Sequence, residues 1–183
     1  MLDIETLNDR GVRIDYDPQN PTVVNLPDPG LKAVIRNAID KPTGDINAID
    51  LLGLAELDAG DWGIASLEGI QFCVNLTRID LRDNEIADIS PLENLTSLTW
   101  LELSNNEVGD ISALASLTNL AELYLSKNQI SDISSLVGNA GIDSGDSVDL
   151  RENQLILQSG SQDMLDIEAL QDRGVSVDFD PQN

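Results

Sequence analysis

Residues 76–97 read LTRIDLRDNEIADISPLENLTS, residues 98–119 read LTWLELSNNEVGDISALASLTN, and residues 120–141 read LAELYLSKNQISDISSLVGNAG. The three stretches superimpose at a spacing of 22 residues. Leu81, Leu103 and Leu125 share one phase, as do Asn84, Asn106 and Asn128, then Ile86, Val108 and Ile130, then Ile89, Ile111 and Ile133. One period earlier stand Leu54, Leu57, Ala59, Ile64, Leu67 and Ile70, a degenerate first coil with Trp62 where asparagine is expected. In the other direction the register slips by three: VDLRENQL places Val148, Leu150, Asn153 and Leu155 in the same pattern 25 residues on. The array therefore has about five coils, and a period in this range marks a stacked repeat.

A coil this short cannot bury its own apolar residues, whereas stacked coils share one continuous core and each adds a short strand to a parallel sheet. Within each LxL strand the leucines point inward and the residues between them face out. The asparagines turn inward where the chain bends, so that their amides satisfy backbone groups left unpaired by the bend.

The N-x-I-x-D-I-x-x-L run, present as NEIADISPL, NEVGDISAL and NQISDISSL, resembles the 22-residue leucine-rich repeats of the internalin-like class over about Leu54 to Leu155. The resemblance implies an α/β repeat: a leucine-rich-repeat solenoid, a curved right-handed superhelix with a parallel sheet on its concave side. Proteins of that class are typically ligand-binding modules that use the concave sheet, and many are bacterial surface proteins. No immunoglobulin-like domain is recognisable after the repeats, so a host-receptor role does not carry over. The implied location is extracellular or at the cell surface, as part of a larger bacterial protein; this segment has no signal peptide, since its N-terminus, MLDIETLNDRGVRIDYD, carries charges where a secretion signal needs an apolar run.

A solenoid exposes apolar surface at both ends unless it is capped. The expected organisation is a duplicated flank and linker at 1–27, a helical N-terminal cap at 28–53, repeats at 54–155 and a helix-strand C-terminal cap at 156–183. In PDPGLKAVIRNAID, Leu31, Val34, Ile35 and Ala38 share a helical face, with Asp28 and Pro29 as start signals. DINAIDLLGL predicts a second short helix. After the repeats Asp163 is expected to cap a helix through MLDIEALQDR, Gly174 to end it in the left-handed conformation, and VSVDF to follow as a strand.

Residues 1–20, MLDIETLNDRGVRIDYDPQN, recur as residues 164–183, MLDIEALQDRGVSVDFDPQN, with 15 of 20 positions identical. The offset of 163 residues points to one unit plus a shared flank from a longer tandem protein; the alternative is an internal duplication with a cap at each end. If both copies suit the same C-terminal edge, the first can dock on a neighbouring molecule's final strand, giving head-to-tail self-association through residues 1–20 and 164–183.

Composition narrows the function. Acids outnumber bases 33 to 10, for a formal charge of −23, which argues against nucleic acid and anionic membranes as partners. The longest uncharged stretch, Ile111 to Ala121, is well short of the ~20 residues needed to span a bilayer. Histidine is absent, which removes the usual general base and the commonest metal ligand. No phosphate-binding glycine loop or dinucleotide fingerprint appears, so no cofactor is expected. Cys73 falls at the phase of Leu95 and Leu117 and reads as a core residue. Asn75 and Asn94 open N-x-T triplets, relevant only in a glycosylating cell.

The outward strand positions form a short list of candidates. They are Glu56 and Asp58; Arg78, Asp80 and Arg82; Trp100, Glu102 and Ser104; Glu122, Tyr124 and Ser126; Asp149 and Arg151. Trp100 and Tyr124 come within reach as diagonal neighbours on adjacent strands. In a chain with 3% aromatics, their meeting beside Arg78 and Arg82 marks a partner-binding patch comprising Arg78, Asp80, Arg82, Trp100, Glu102 and Tyr124. The competing view is that the rings only pack on each other and shield the sheet. The column Asp58, Asp80, Glu102 and Asp149 stacks like charges, offset by the arginines or by a basic partner. A carboxylate pair at this spacing also suits a retaining glycosidase, but an open groove without a pocket does not. The ladder Asp88, Asp110 and Asp132 and the cluster Asp143, Asp146 and Asp149 raise a calcium reading, against which each ladder aspartate can cap a local turn. No metal site is assigned. The expected function is a non-catalytic module binding a protein or peptide ligand; the alternative is a structural or adhesive spacer, stiffened by calcium and joined through its flanks.

Overall fold

The computed structural model describes residues 22–182, so the first copy of the duplicated flank lies outside the described residues. Six parallel strands stack in chain order: β1 (Glu56–Asp58), β2 (Arg78–Asp80), β3 (Trp100–Glu102), β4 (Glu122–Tyr124), β5 (Ser147–Asp149) and β6 (Ser176–Asp178). The first five come from the repeats and the sixth from the C-terminal flank. Between strands the chain returns through short 3₁₀ turns at Ile70–Phe72, Ser90–Leu92 and Ser112–Ser116, and through helix α2 (Ser134–Gly138). The fold is the leucine-rich-repeat solenoid that the resemblance implies.

The core runs the length of the stack. Leu81, Leu103, Leu125 and Leu150 are fully buried, as are Ile79 and Leu101 at the strand centres. Cys73, Leu95 and Leu117 fill one equivalent slot, all fully buried. Truncating any of these leucines to alanine removes apolar contact and leaves a cavity, at ~2–5 kcal/mol each.

Polar atoms stitch each coil to the one before it. The Asn106 amide nitrogen donates to Leu81 O and Leu103 O at 2.9 and 3.0 Å, and its oxygen accepts from Ile86 N at 3.0 Å. Asn84, Asn128 and Asn153 repeat the arrangement. Trp62 stands in the same phase but is exposed, because no earlier repeat coil offers a carbonyl in front of it. The residue before each of these positions, Asp61, Asp83, Asn105, Lys127 or Glu152, has a φ between 54° and 59°, a left-handed turn that Asn and Asp tolerate better than Lys or Glu.

At the N-terminal end, helix α1 (Pro29–Ala38) buries Leu31, Val34 and Ile35. Its N-cap is Asp28, whose carboxylate accepts from Leu31 N at 2.9 Å and also from Ala65 N and Ser66 N of the first coil. Burial opposes ionisation of Asp28, but these backbone donors outweigh it and hold its pKa below the usual carboxylate range. Ala38 does not join the buried face as expected: it is exposed at the helix end, and Ile39 packs against the core instead. A single 3₁₀ turn, Ala48–Leu51, follows.

At the other end, helix α3 (Gln162–Asp172) and β6 cover the last coil. The expected N-cap, Asp163, lies two residues further on, within the first turn; Ser161 caps the helix, accepting from Met164 N. Asp163 instead accepts from Ile156 N at 2.7 Å, tying the helix start to the chain that leads into it. Gly174 has a φ of 89° and ends the helix as expected; a Cβ there would come within 2.9 Å of Ser144 Oγ.

Candidate binding face

The strand register aligns outward residues in two columns. One runs Glu56, Arg78, Trp100, Glu122, Ser147 and Ser176; the other runs Asp58, Asp80, Glu102, Tyr124, Asp149 and Asp178. Both follow from the LxL alternation, which turns every second side chain away from the core.

At the centre the columns join. The Arg78 guanidinium lies over the Trp100 ring, 3.3 Å from its centroid. Trp100 and Tyr124 meet diagonally, their centroids 5.7 Å apart and their planes tilted by 54°. Tyr124 donates its hydroxyl proton to Glu122 Oε2 at 2.8 Å. That hydrogen bond to a carboxylate, aided by burial and by the charges of Glu122 and Glu102, raises the Tyr124 pKa above its ordinary value. The rings thus pack on each other and still remain half-exposed. The result is an apolar platform with a cation at one edge and carboxylates at the other, held in place before any ligand arrives.

The acidic column is largely occupied with its own strand ends. Asp80 accepts from Arg82 N at 3.1 Å, with Arg82 Nε 3.7 Å away. Glu102 accepts from Ser104 N at 2.7 Å. Asp149 accepts from Arg151 N, and from Arg151 Nε and the terminal guanidinium nitrogen at 2.9 and 2.7 Å. Burial works against the Asp149 carboxylate, yet the Arg151 hydrogen bonds and charge prevail and lower its pKa. Asp149 keeps its outward place in the column but is only 7% exposed, its carboxylate paired with Arg151. Glu56 and Asp58, with Leu57, Arg78 and Asp80, line a shallow recess at the N-terminal end of the sheet.

Of the six expected patch residues, Arg78, Trp100 and Tyr124 form one contiguous surface. Asp80 and Glu102 run beside it in the neighbouring column, and Arg82 turns back toward Asp80. Glu122 belongs to the cluster and was missed as an anchor, because an i,i+2 tyrosine–carboxylate bond along one strand is invisible until ring orientation is known. Asn139 was missed too: fully buried, it donates to Leu114 O and Leu117 O at the point where the period slips by three. The adjoining Gly141 permits a close backbone passage that a Cβ, 1.9 Å from Thr118 O, would block.

On the opposite side, Asp88, Asp110 and Asp132 each accept from the backbone NH two residues on, at 2.8 Å. This bond lowers the pKa of Asp110 and Asp132. Asp146 accepts from Asp143 N at 2.9 Å. Among the described residues, no group of three or more Asp, Glu, Cys or His side chains converges to hold a metal ion. Burial pushes the Cys73 thiol up to about 12, the opposite of what a nucleophile needs. No helix among the described residues is long and apolar enough to cross a membrane.

Residues 72–89 match the leucine-rich repeat family, and residues 96–138 match its two-copy form. No curated protein sequence matches the chain. Among solved structures, internalin C2 from Listeria monocytogenes is similar at 32% identity with a TM-score of 0.75, over 89% of this chain and 70% of that one. The internalin inlF of the same organism is similar at 28% identity with a TM-score of 0.65, over 90% of this chain; the chain spans 59% of that protein's length.

Proposed function

Starting from the fact that the chain belongs to the internalin-like leucine-rich-repeat family, we propose that it is a non-catalytic module whose concave sheet binds another protein or a peptide. The observation that carries this is the Arg78–Trp100–Tyr124–Glu122 cluster: tryptophan, tyrosine and arginine are the residues that concentrate binding energy in interfaces. Elsewhere on the sheet the outward positions are short or charged. An open face without an enclosed polar pocket gives no place to exclude water from a reacting bond. The extracellular or surface location and the protein ligand are carried over from the family.

The test is selection of a ligand from a displayed peptide library against the full chain, followed by Trp100→Ala/Tyr124→Ala. The expected result is a loss of at least ~tenfold in affinity with the melting temperature nearly unchanged. Ligands that bind the double variant equally well would overturn the reading.

A second reading is favoured by the duplicated flank. In it the solenoid is a spacer in a tandem protein, its units joined through residues 1–20 and 164–183. Calcium stiffening has less support, since the acidic turns already engage their own backbone amides.

A further inference from the structure

Whatever docks on the Trp100–Tyr124 platform also covers the charges that frame it. Of the twelve outward residues on the six strands, seven are acidic and one, Arg78, is basic. Two of the acids are answered within the chain: Asp149 pairs with Arg151 at 2.7 Å, and Asp80 stands 3.7 Å from Arg82 Nε. Among the described residues, no ion pair reaches Glu56, Asp58, Glu102 or Glu122. Arg78 does not answer them either, since its guanidinium lies on the Trp100 ring.

These four carboxylates fall in two places. Glu102 stands beside Tyr124 across the β3–β4 ladder, and Glu122 accepts the Tyr124 hydroxyl proton. Both charges are felt at the phenol, whose pKa they help to raise. Ser104 and Ser126, two places further along the same strands, are short and hydrogen-bond each other at 2.9 Å, so that flank of the platform carries no long side chain. Glu56 and Asp58, both exposed, line the recess with Arg78 and Asp80. β1 lies two strands from β3 and three from β4, which sets the two places about 10–15 Å apart.

This distribution discriminates among partners. An apolar surface laid on the rings strips water from Glu102 and Glu122 and returns nothing, and an unpaired charge under an interface opposes binding. An acidic segment adds like charge. A cationic side chain supplies the missing pairing and can lie on the Tyr124 ring as Arg78 lies on Trp100.

We propose that the ligand of the concave face is a basic, extended peptide segment, with one Arg or Lys seated on Tyr124 between Glu102 and Glu122 and a second in the Glu56–Asp58 recess. Side chains on one side of an extended segment recur at every second residue, so the two basic residues stand about four positions apart. The inference rests on the concave-face reading above and adds the charge of its ligand.

The test pans a displayed library of random peptides of about twelve residues against the full chain and keeps those that Trp100→Ala/Tyr124→Ala fails to bind. The resynthesised peptides are then titrated into three pair variants of equal net charge. Glutamine keeps the acceptor oxygens that Ser104 N and Tyr124 use, so the fold survives. The retained peptides are expected to carry Lys or Arg about four residues apart. Glu102→Gln/Glu122→Gln weakens them at least ~tenfold and Glu56→Gln/Asp58→Asn several-fold, whereas Glu85→Gln/Glu107→Gln, at exposed positions off the strands, changes affinity less than about twofold. Neutral or acidic peptides that depend on Trp100 and Tyr124, or a loss at Glu102 and Glu122 no greater than at Glu85 and Glu107, overturn the basic ligand while leaving a binding face of other chemistry. A library that yields no peptide dependent on the two rings overturns the concave-face reading itself, and this inference with it.

Discussion

The two sides of each strand exit obey different rules. Inside, the asparagine ladder is the same residue four times over, with the same partners at nearly the same distances. Outside, one column changes from Glu to Arg to Trp to Glu to Ser along the same five strands. Repetition is enforced where one coil must hold the next, and individuality is allowed where only solvent or a ligand is met. The variable side is therefore the one on which the proposed binding reading rests.

The comparison breaks most visibly on the inside. Asn106→Ala strands Ile86 N, Leu81 O and Leu103 O in the core, and the expected loss is about 3 kcal/mol, read as a lower urea midpoint. Asp28→Ala removes the cap of α1 and its two ties to the first coil, at about 1–2 kcal/mol. The same site gives a pH signature. Because the Asp28 and Asp149 pKa values are lowered on folding, their stabilisation is present above the unfolded value of about 4 and is lost as pH falls through the folded values. Urea midpoints should hold near neutrality and decline below about pH 4, less so in Asp28→Asn.

Smaller effects sharpen the contrast. Lys127 occupies a left-handed turn held by Asp83 and Asn105 in earlier coils, and its contact to Glu152 is an exposed 4.0 Å pair worth little. Lys127→Gly is expected to stabilise by about 0.5–1 kcal/mol, measured as a higher melting temperature. Smallest of all in stability, under about 0.5 kcal/mol, is Arg82→Ala, whose exposed side chain lies over Gly60 and pairs with Asp80 at 3.7 Å.

What could be read from the chain alone divides along the same line. Leu81, Leu103, Leu125 and the asparagines were legible because a period repeats its own evidence, and the sheet, its register and the diagonal of Trp100 and Tyr124 follow from it. Single events were not. The exposure of Ala38 turns on where α1 stops, and the exchange of roles between Asp163 and Ser161 is a matter of two residues. The burial of Asp149 depends on Arg151 folding back over it, and the Arg78 stack on a rotamer; neither leaves a trace in spacing.

Cys73 and the two tryptophans sit at two different rungs: a sealed thiol and the exposed indole of Trp62 on the first coil, and the stacked indole of Trp100 on the third. Alkylation of the thiol should proceed only during opening of its own rung, while fluorescence quenching of the stacked indole follows another. The molecule thus contains native reporters with which to ask whether such an array melts all at once or peels from one end.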